Sequence, residues 1–252
     1  MPFRSIIAAA ALAMCATAVS AAEKPYRVTL AGDDYQGDGW LTGVRIELDE
    51  GWKTYWRMPG EAGIPPLFTW TISQPSEIEV LYPLPGRFAD ASGETVGYAH
   101  EVVFPVRVMN STATGLTLDL DLFFAVCRDI CIPAQTKASV ALGAALRDPE
   151  GSRRVEQWAA RIPATGTPVT RAEIVIEQDK PALLLNLTTP VTDIFVETAG
   201  SAYFRKPVFS ADGREARLII DNVKDALTLK GAMLKLTFST AAGGLEQSLT
   251  LP

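Results

Sequence analysis

The sequence predicts an all-β protein: a β-sandwich, then a short helix, then a second, smaller β domain. Three observations carry that expectation. Short runs that alternate apolar and polar residues recur from Tyr26 to Leu142 with turn residues between them, the pattern of half-buried strands in a sandwich. A single stretch after Asp148 has helical spacing instead. From Val169 the strand pattern resumes.

In chain order, Tyr26 to Ala31 reads as a first strand, and Leu41 to Asp49 as a second, with Val44, Ile46 and Leu48 alternating against Arg45, Glu47 and Asp49. The segment Gly51 to Pro66 is dense in aromatics, glycine and proline, so it begins as strand and ends as an ordered loop. Leu67 to Trp70, Ile78 to Tyr82 and Val102 to Val108 are further strands, and Pro105 places the last on an edge or at a bulge. Leu116 to Leu122 alternates with one buried face, and Thr136 to Leu142 closes the set. Asp148 can cap a helix whose first turn accepts Pro149. Val155, Trp158 and Ile162 share its apolar face, and Pro163 stops it. Ala164 to Pro168 reads as a linker. Six strand candidates follow, beginning at Ala172, Ala182, Asp193, Ala216, Met233 and Gln247, in a half with no cysteine or histidine. The expected division is therefore 1–22, 23–147, 148–168 and 169–252.

Residues 1–22 carry the marks of a secretory signal: Arg4, an alanine-rich apolar run from Ile6 to Ala18, and small residues at Val19-Ser20-Ala21 and Ser20-Ala21-Ala22. Cleavage is expected near Ala22 or Glu23, and it removes Cys15. Met14 argues against lipidation of Cys15. The competing reading is an uncleaved anchor, against which the short apolar run counts. After Ala22 no apolar stretch approaches a transmembrane length. The signal looks bacterial, so the expected compartment is the periplasm, where disulfides persist.

The chain has 252 residues, enough for one large or two small domains. It is 48% hydrophobic and 21% charged, with a net charge of −6 and no basic run, which argues against a nucleic-acid partner. No Ser/His/Asp signature, phosphate loop or HExxH is present, so hydrolase and nucleotide readings have no support.

Past the signal, Cys127 and Cys131 are the only cysteines. They lie four positions apart, after the alternating run and just before Pro133, which is expected to keep Cys131 out of a regular strand. That places the pair at a strand end or hairpin tip, within disulfide reach. A bond closing so short a loop contributes only about 2 kcal/mol in the chain-entropy model. That weak stapling favours redox chemistry. A local structural disulfide and two unpaired thiols remain open, and a CxxxC pair is no thioredoxin signature.

Gly51-Trp52, Tyr55-Trp56-Arg57, Pro59-Gly60, Gly63 and Pro65-Pro66, then Gly97-Tyr98 and Glu101, then Cys127 and Cys131-Ile132-Pro133, resemble the periplasmic N-terminal region of DsbD/ScsB-type thiol:disulfide interchange proteins. The resemblance covers roughly residues 25 to 145. The helix and the second β half look, more loosely, like the two-domain arrangement of the ScsB-type branch. The resemblance implies an immunoglobulin-like β-sandwich, followed by the short helix and a second smaller β-sandwich domain. It also implies a redox-active pair, Cys127 and Cys131, with Cys131 as the sulfur that joins partners in mixed disulfides. In the family, electrons come from a membrane-embedded domain of the same chain. Here no such segment and no C-terminal thioredoxin domain is seen. The expected donor is a separately encoded membrane-embedded thiol reductase. The expected acceptors are periplasmic thioredoxin-like or disulfide-containing proteins.

Around the pair, Arg128 favours a thiolate and Asp129 opposes one, unless both are simply solvated loop charges. Tyr55, Trp56 and Tyr98 either shield the pair or belong to the core, whereas Trp52 and Trp70 read as core. Arg57 and Glu101 either pair to pin the loop near the site or form a plain surface ion pair. His100 with the two cysteines would make a soft copper site. The mature methionines, Met58, Met109 and Met233, form no metal motif, so no metal or cofactor is expected. Three function readings stand: a thiol–disulfide relay, a non-enzymatic interaction module with a structural disulfide, and a copper-binding protein.

Overall fold

The computed structural model describes residues 24–61, 63–90, 93–109, 115–143, 148–177, 180–223 and 225–252. The expected signal segment lies outside these residues. The first half contains β1 (Tyr26–Tyr35), β2 (Gly39–Leu48), β3 (Lys53–Gly60), β4 (Leu67–Ile72), β5 (Glu77–Val80), β6 (Gly86–Asp90), β7 (Gly93–Ala99), β8 (Glu101–Met109), β9 (Leu116–Cys127) and β10 (Cys131–Leu142). They form two antiparallel sheets, in the orders β1-β2-β8-β5 and β10-β9-β3-β7-β6, with β4 also pairing β9. In β9, Leu116, Leu118, Leu120, Leu122, Phe124 and Val126 alternate into one core with Val44 and Ile46 of β2 and Phe104 of β8. A period of two puts one side-chain set on one face, so this pattern alone sets the orientation of β9.

Several expectations need correction. The β6–β7 hairpin has no counterpart in the sequence reading. Its glycines and polar residues hide the alternation, and Gly97 is there because a Cβ would lie 1.9 Å from the Thr54 carbonyl oxygen of β3. The strand holding Pro105 is flanked on both sides by β2 and β5. The Pro105 carbonyl accepts from Leu81 N just past the last β5 pair, Val80–Val106, so the missing N–H falls where β5 has run out. Regular pairing also continues through Pro133 to Cys131. β10 ends its sheet, and an edge strand tolerates proline.

Helix α1 (Pro149–Ala159) is capped by Asp148, whose carboxylate accepts from Gly151 N at 2.9 Å and from Gly32 N of β1 at 3.2 Å. It ends before Pro163, leaving Ile162 in the turn beyond. Val155 packs with Leu41 and Val103 on the outer face of the first sheet. That is why β8 is buried on both faces.

The second half contains β11 (Ala164–Thr165), β12 (Val169–Glu177), β13 (Lys180–Leu187), β14 (Asp193–Thr198), β15 (Tyr203–Phe204), β16 (Val208–Phe209), β17 (Glu215–Asp221), β18 (Met233–Thr240) and β19 (Gly243–Thr250). Its sheets run β11-β19-β18-β14 and β12-β13-β17-β15, with β16 on β17, around a core of their own. Ala164 and Thr165, within the expected linker, pair in parallel with Leu245 and Glu246 of β19. Phe195 of β14 leaves its own half: it is 1% exposed and belongs to the first core, 5.7 Å from the Trp56 ring.

Because Phe195 fills the first core from the second half, Phe195→Ala should destabilise the chain by about 3–5 kcal/mol. Urea unfolding followed by tryptophan fluorescence should show the first half losing stability too. An unchanged first-half transition would show that the two cores are independent.

Candidate functional site

Cys127 ends β9, Cys131 begins β10, and the two face each other in register with Cα atoms 4.1 Å apart, joined as a disulfide. A three-residue tip closes with Arg128 N donating to Ile130 O at 3.2 Å. The two sulfurs have unlike surroundings. Cys127 is 2% exposed and clusters with Tyr55 and Ala125 under Ile64. Cys131 is exposed. Alternation explains the split from the core: Val126 and Trp56 point into the main core, while their neighbours Cys127 and Tyr55 point to the opposite face.

Tyr55 is buried to 1% exposure, and its hydroxyl lies 3.1 Å from Cys131 Sγ. A disulfide sulfur carries no proton, so the hydroxyl is the donor. Strand β3 is tied to β9 beside it: Lys53 faces Cys127, Thr54 faces Val126, and Thr54 Oγ1 donates to Ala125 O at 2.9 Å. The chain after β3 folds back over the phenol. A Cβ on Gly63 would come within 2.7 Å of the Tyr55 ring and 2.4 Å of Pro59 Cβ, so only glycine permits this close cover. Sequence reasoning singled out Gly63 as part of a motif but not Ile64; the covering role emerges only once β3 and its loop are folded.

The other site candidates sort differently. Arg128 lies over the Trp52 ring at 5.2 Å and pairs with Asp129 at 3.1 Å, at side-chain exposures of 52% and 84%. Such an exposed pair adds little stability. Tyr98 faces the main core, opposite to Tyr55, and donates to Pro83 O at 2.7 Å. Burial pushes its phenol well above the usual value. It therefore does not shield the disulfide. The pairing of Arg57 with Glu101 does not form. Arg57 reaches Glu197 and Glu246 in the second half, while Glu101 binds Arg45 at 2.6 Å, Arg154 of α1 at 3.2 Å and Trp158 Nε1 at 3.3 Å. Glu101 thus fastens the helix to the first sheet. His100 sits exposed in a left-handed turn between β7 and β8, and among the described residues no three His, Cys, Asp or Glu side chains are grouped to hold a metal.

Exchange at a disulfide needs an accessible sulfur, and of the two only Cys131 is exposed. Ile130, in the tip between the two cysteines, is an exposed apolar side chain. The fold is all-β and immunoglobulin-like, with the disulfide at the tip of its β9–β10 hairpin. Residues 20–142 match the family model for the N-terminal region of the thiol:disulfide interchange protein DsbD, which supports an interchange module. The crystal structure of the N-terminal periplasmic domain of ScsB from Proteus mirabilis is similar over 95% of this chain and 96% of that one, with a TM-score of 0.71 at 21% identity. That likeness is one of fold, and it takes in the second half. No curated protein matches by sequence. Among the described residues no helix is long and apolar enough to cross a membrane.

Burial opposes ionisation of Glu101, but its hydrogen bonds and charge contacts with Arg45 and Arg154 hold its carboxyl below the ordinary value. Its stabilising contribution is therefore complete above the unfolded value of about 4.3 and is lost as pH falls through the lower folded value. Glu101→Gln should cost about 1–3 kcal/mol at pH 7. In denaturant titrations the gap to the parent should close below about pH 4, as the parent's own carboxylate takes up its proton. A gap of constant size down to pH 3 would rule out this role for Glu101.

Proposed function

We propose that the protein is a periplasmic electron relay. It receives two electrons at the Cys127–Cys131 pair from a membrane-embedded thiol reductase and passes them to thioredoxin-like or disulfide-containing proteins. In this reading it acts as a protein-disulfide reductase that depends on a separate membrane partner. Residues 1–22 are its export signal, 23–147 its redox domain, 148–168 the helix and linker, and 169–252 a second β domain. The observation that carries the proposal is the unequal burial of the two sulfurs, with a hydroxyl donor on the exposed one.

The chemistry balances in two exchanges. A thiolate of the reductase attacks Cys131 Sγ, the Cys127–Cys131 bond breaks, and Cys127 leaves as a thiolate that takes up a proton. The reductase's second thiolate then attacks its own sulfur in the mixed disulfide, forming the reductase disulfide and freeing Cys131. In the second exchange the Cys131 thiolate attacks the acceptor's disulfide and expels one acceptor sulfur. Cys127 then attacks Cys131, re-forming the internal bond and releasing the reduced acceptor. Arg128 and Asp129 flank the tip and take no part in proton transfer in this scheme.

A Cys127→Ser chain should accumulate a mixed disulfide through Cys131, because the resolving thiol is gone, and Cys131→Ser should trap far less. Non-reducing gels of periplasmic extracts read the result. Equal trapping, or trapping through Cys127 alone, would overturn the assignment of the attacked sulfur. No trapping, together with a reduction potential well below about −300 mV, would return the pair to a structural role in an interaction module.

A further inference from the structure

The second half contacts the strand that carries Tyr55, and it does so where that strand has lost its sheet partners. β3 pairs β9 at Lys53 and Thr54, and β7 at Lys53, Thr54 and Tyr55; its register with β7 then slips, and pairing resumes at Gly60. Residues 56–59 therefore run outside the register pairs on both sides. What fixes them lies across the interface. Arg57 Nε donates to both Glu197 oxygens at 3.0 and 2.9 Å, and Nη2 donates to Glu197 at 2.8 Å and to Glu246 at 2.5 Å. The guanidinium also lies 4.3 Å from the Trp56 ring centre. The side chains of Arg57, Glu197 and Glu246 are 19%, 23% and 25% exposed. A forked, mostly buried contact of this kind is geometrically specific and weakly screened.

Glu246 is itself held, accepting from Thr237 Oγ1 at 3.2 Å and pairing with Lys235 at 3.0 Å. One residue before Arg57, Trp56 packs against Phe195. One residue before that, Tyr55 meets Cys131. Three consecutive residues thus link the disulfide to β14 and β19.

We propose that the second β unit is a positioning element for the disulfide: by gripping Arg57 through Glu197 and Glu246 it sets the β3 segment, and so the Tyr55 hydroxyl, against Cys131. Arg57 is a positioning residue, since it touches neither sulfur. The hydroxyl donates more strongly to a thiolate than to a disulfide sulfur, because hydrogen bonds to charged acceptors are stronger. Correct placement therefore favours the reduced pair. The proposal rests on the relay reading only for its biological use; the coupling itself is a property of the isolated chain.

The test is the equilibrium constant between dithiol and disulfide in glutathione buffers, read on the full chain with no relay partner. Tyr55→Phe should shift the equilibrium toward the disulfide by about threefold or more, because the bond it removes is stronger to the thiolate than to the disulfide sulfur. The double variant Glu197→Gln with Glu246→Gln should shift it in the same direction. Adding Tyr55→Phe to that double variant should shift it no further than Tyr55→Phe alone, since the two changes act through one contact. A clamp variant that melts earlier but keeps the parent equilibrium constant would overturn the proposal, as would additive shifts. If the double variant does not fold, Arg57→Lys keeps the charge and loses the fork, and the same two outcomes decide. A trapping failure in the Cys127→Ser chain would sink the relay reading and leave this measurement intact.

Discussion

The site depends on one constraint: strand β3 must present successive side chains to three different environments. Tyr55 faces the disulfide, Trp56 fills the core, and Arg57 is held by carboxylates of the other half. Strand geometry supplies the first alternation without cost, since neighbours in a strand point to opposite faces. It cannot supply the third, because β3 leaves its register with β7 immediately after Tyr55. From that point long-range charge pairing replaces the backbone ladder as the restraint.

The pair itself contributes little to holding the hairpin. Closing so short a loop is worth about 2 kcal/mol by chain entropy. The β9–β10 ladder continues in register from Cys127–Cys131 to Leu116–Leu142, and the leucines of β9 are almost wholly buried. Burying each such side chain is worth about 1.5–3 kcal/mol. The hairpin is therefore held by its core face, so the disulfide can open and close at one end without dissolving the strands that carry it. The cover over Cys127 has the same economy: Gly63 lets the chain lie directly on the Tyr55 ring, and Ile64 completes an apolar wall around the buried sulfur.

The helix and the second half are fastened by separate polar anchors. Glu101 gathers Arg45 and Arg154 to seat α1. Arg87, 7% exposed at its side chain, bridges Glu94 of its own half and Asp193 of the other. Tyr203 Oη donates to Glu94 at 2.7 Å, extending that bridge. Leaving the buried Arg87 charge unpaired costs more than its pairs contribute, so this contact selects one arrangement of the two halves more than it raises total stability.

The sequence by itself determined the class of fold, the helix cap at Asp148, the hairpin-tip position of Cys127 and Cys131, and the membership of Tyr55 in a motif with them. The first three are written in local spacing: alternation at period two, a cap beside a proline, two cysteines four positions apart; the fourth came from the resemblance to a family. It did not reveal β6 and β7, where Gly97 interrupts the alternation because β3 approaches it closely and Gly93 because its φ of +116° suits only glycine. It also named wrong partners for Arg57 and Glu101. A guanidinium reads the same in a sequence whether its carboxylate lies 44 or 140 positions away, and Tyr98 reads like Tyr55 until the pleat turns them to opposite faces. The apolar run before Cys127 already pointed to it as the more buried sulfur. Only the tertiary structure decided which tyrosine reaches Cys131 and that the second half grips the strand carrying that tyrosine, because long-range pairing is a property of the assembled sheets and of no single segment.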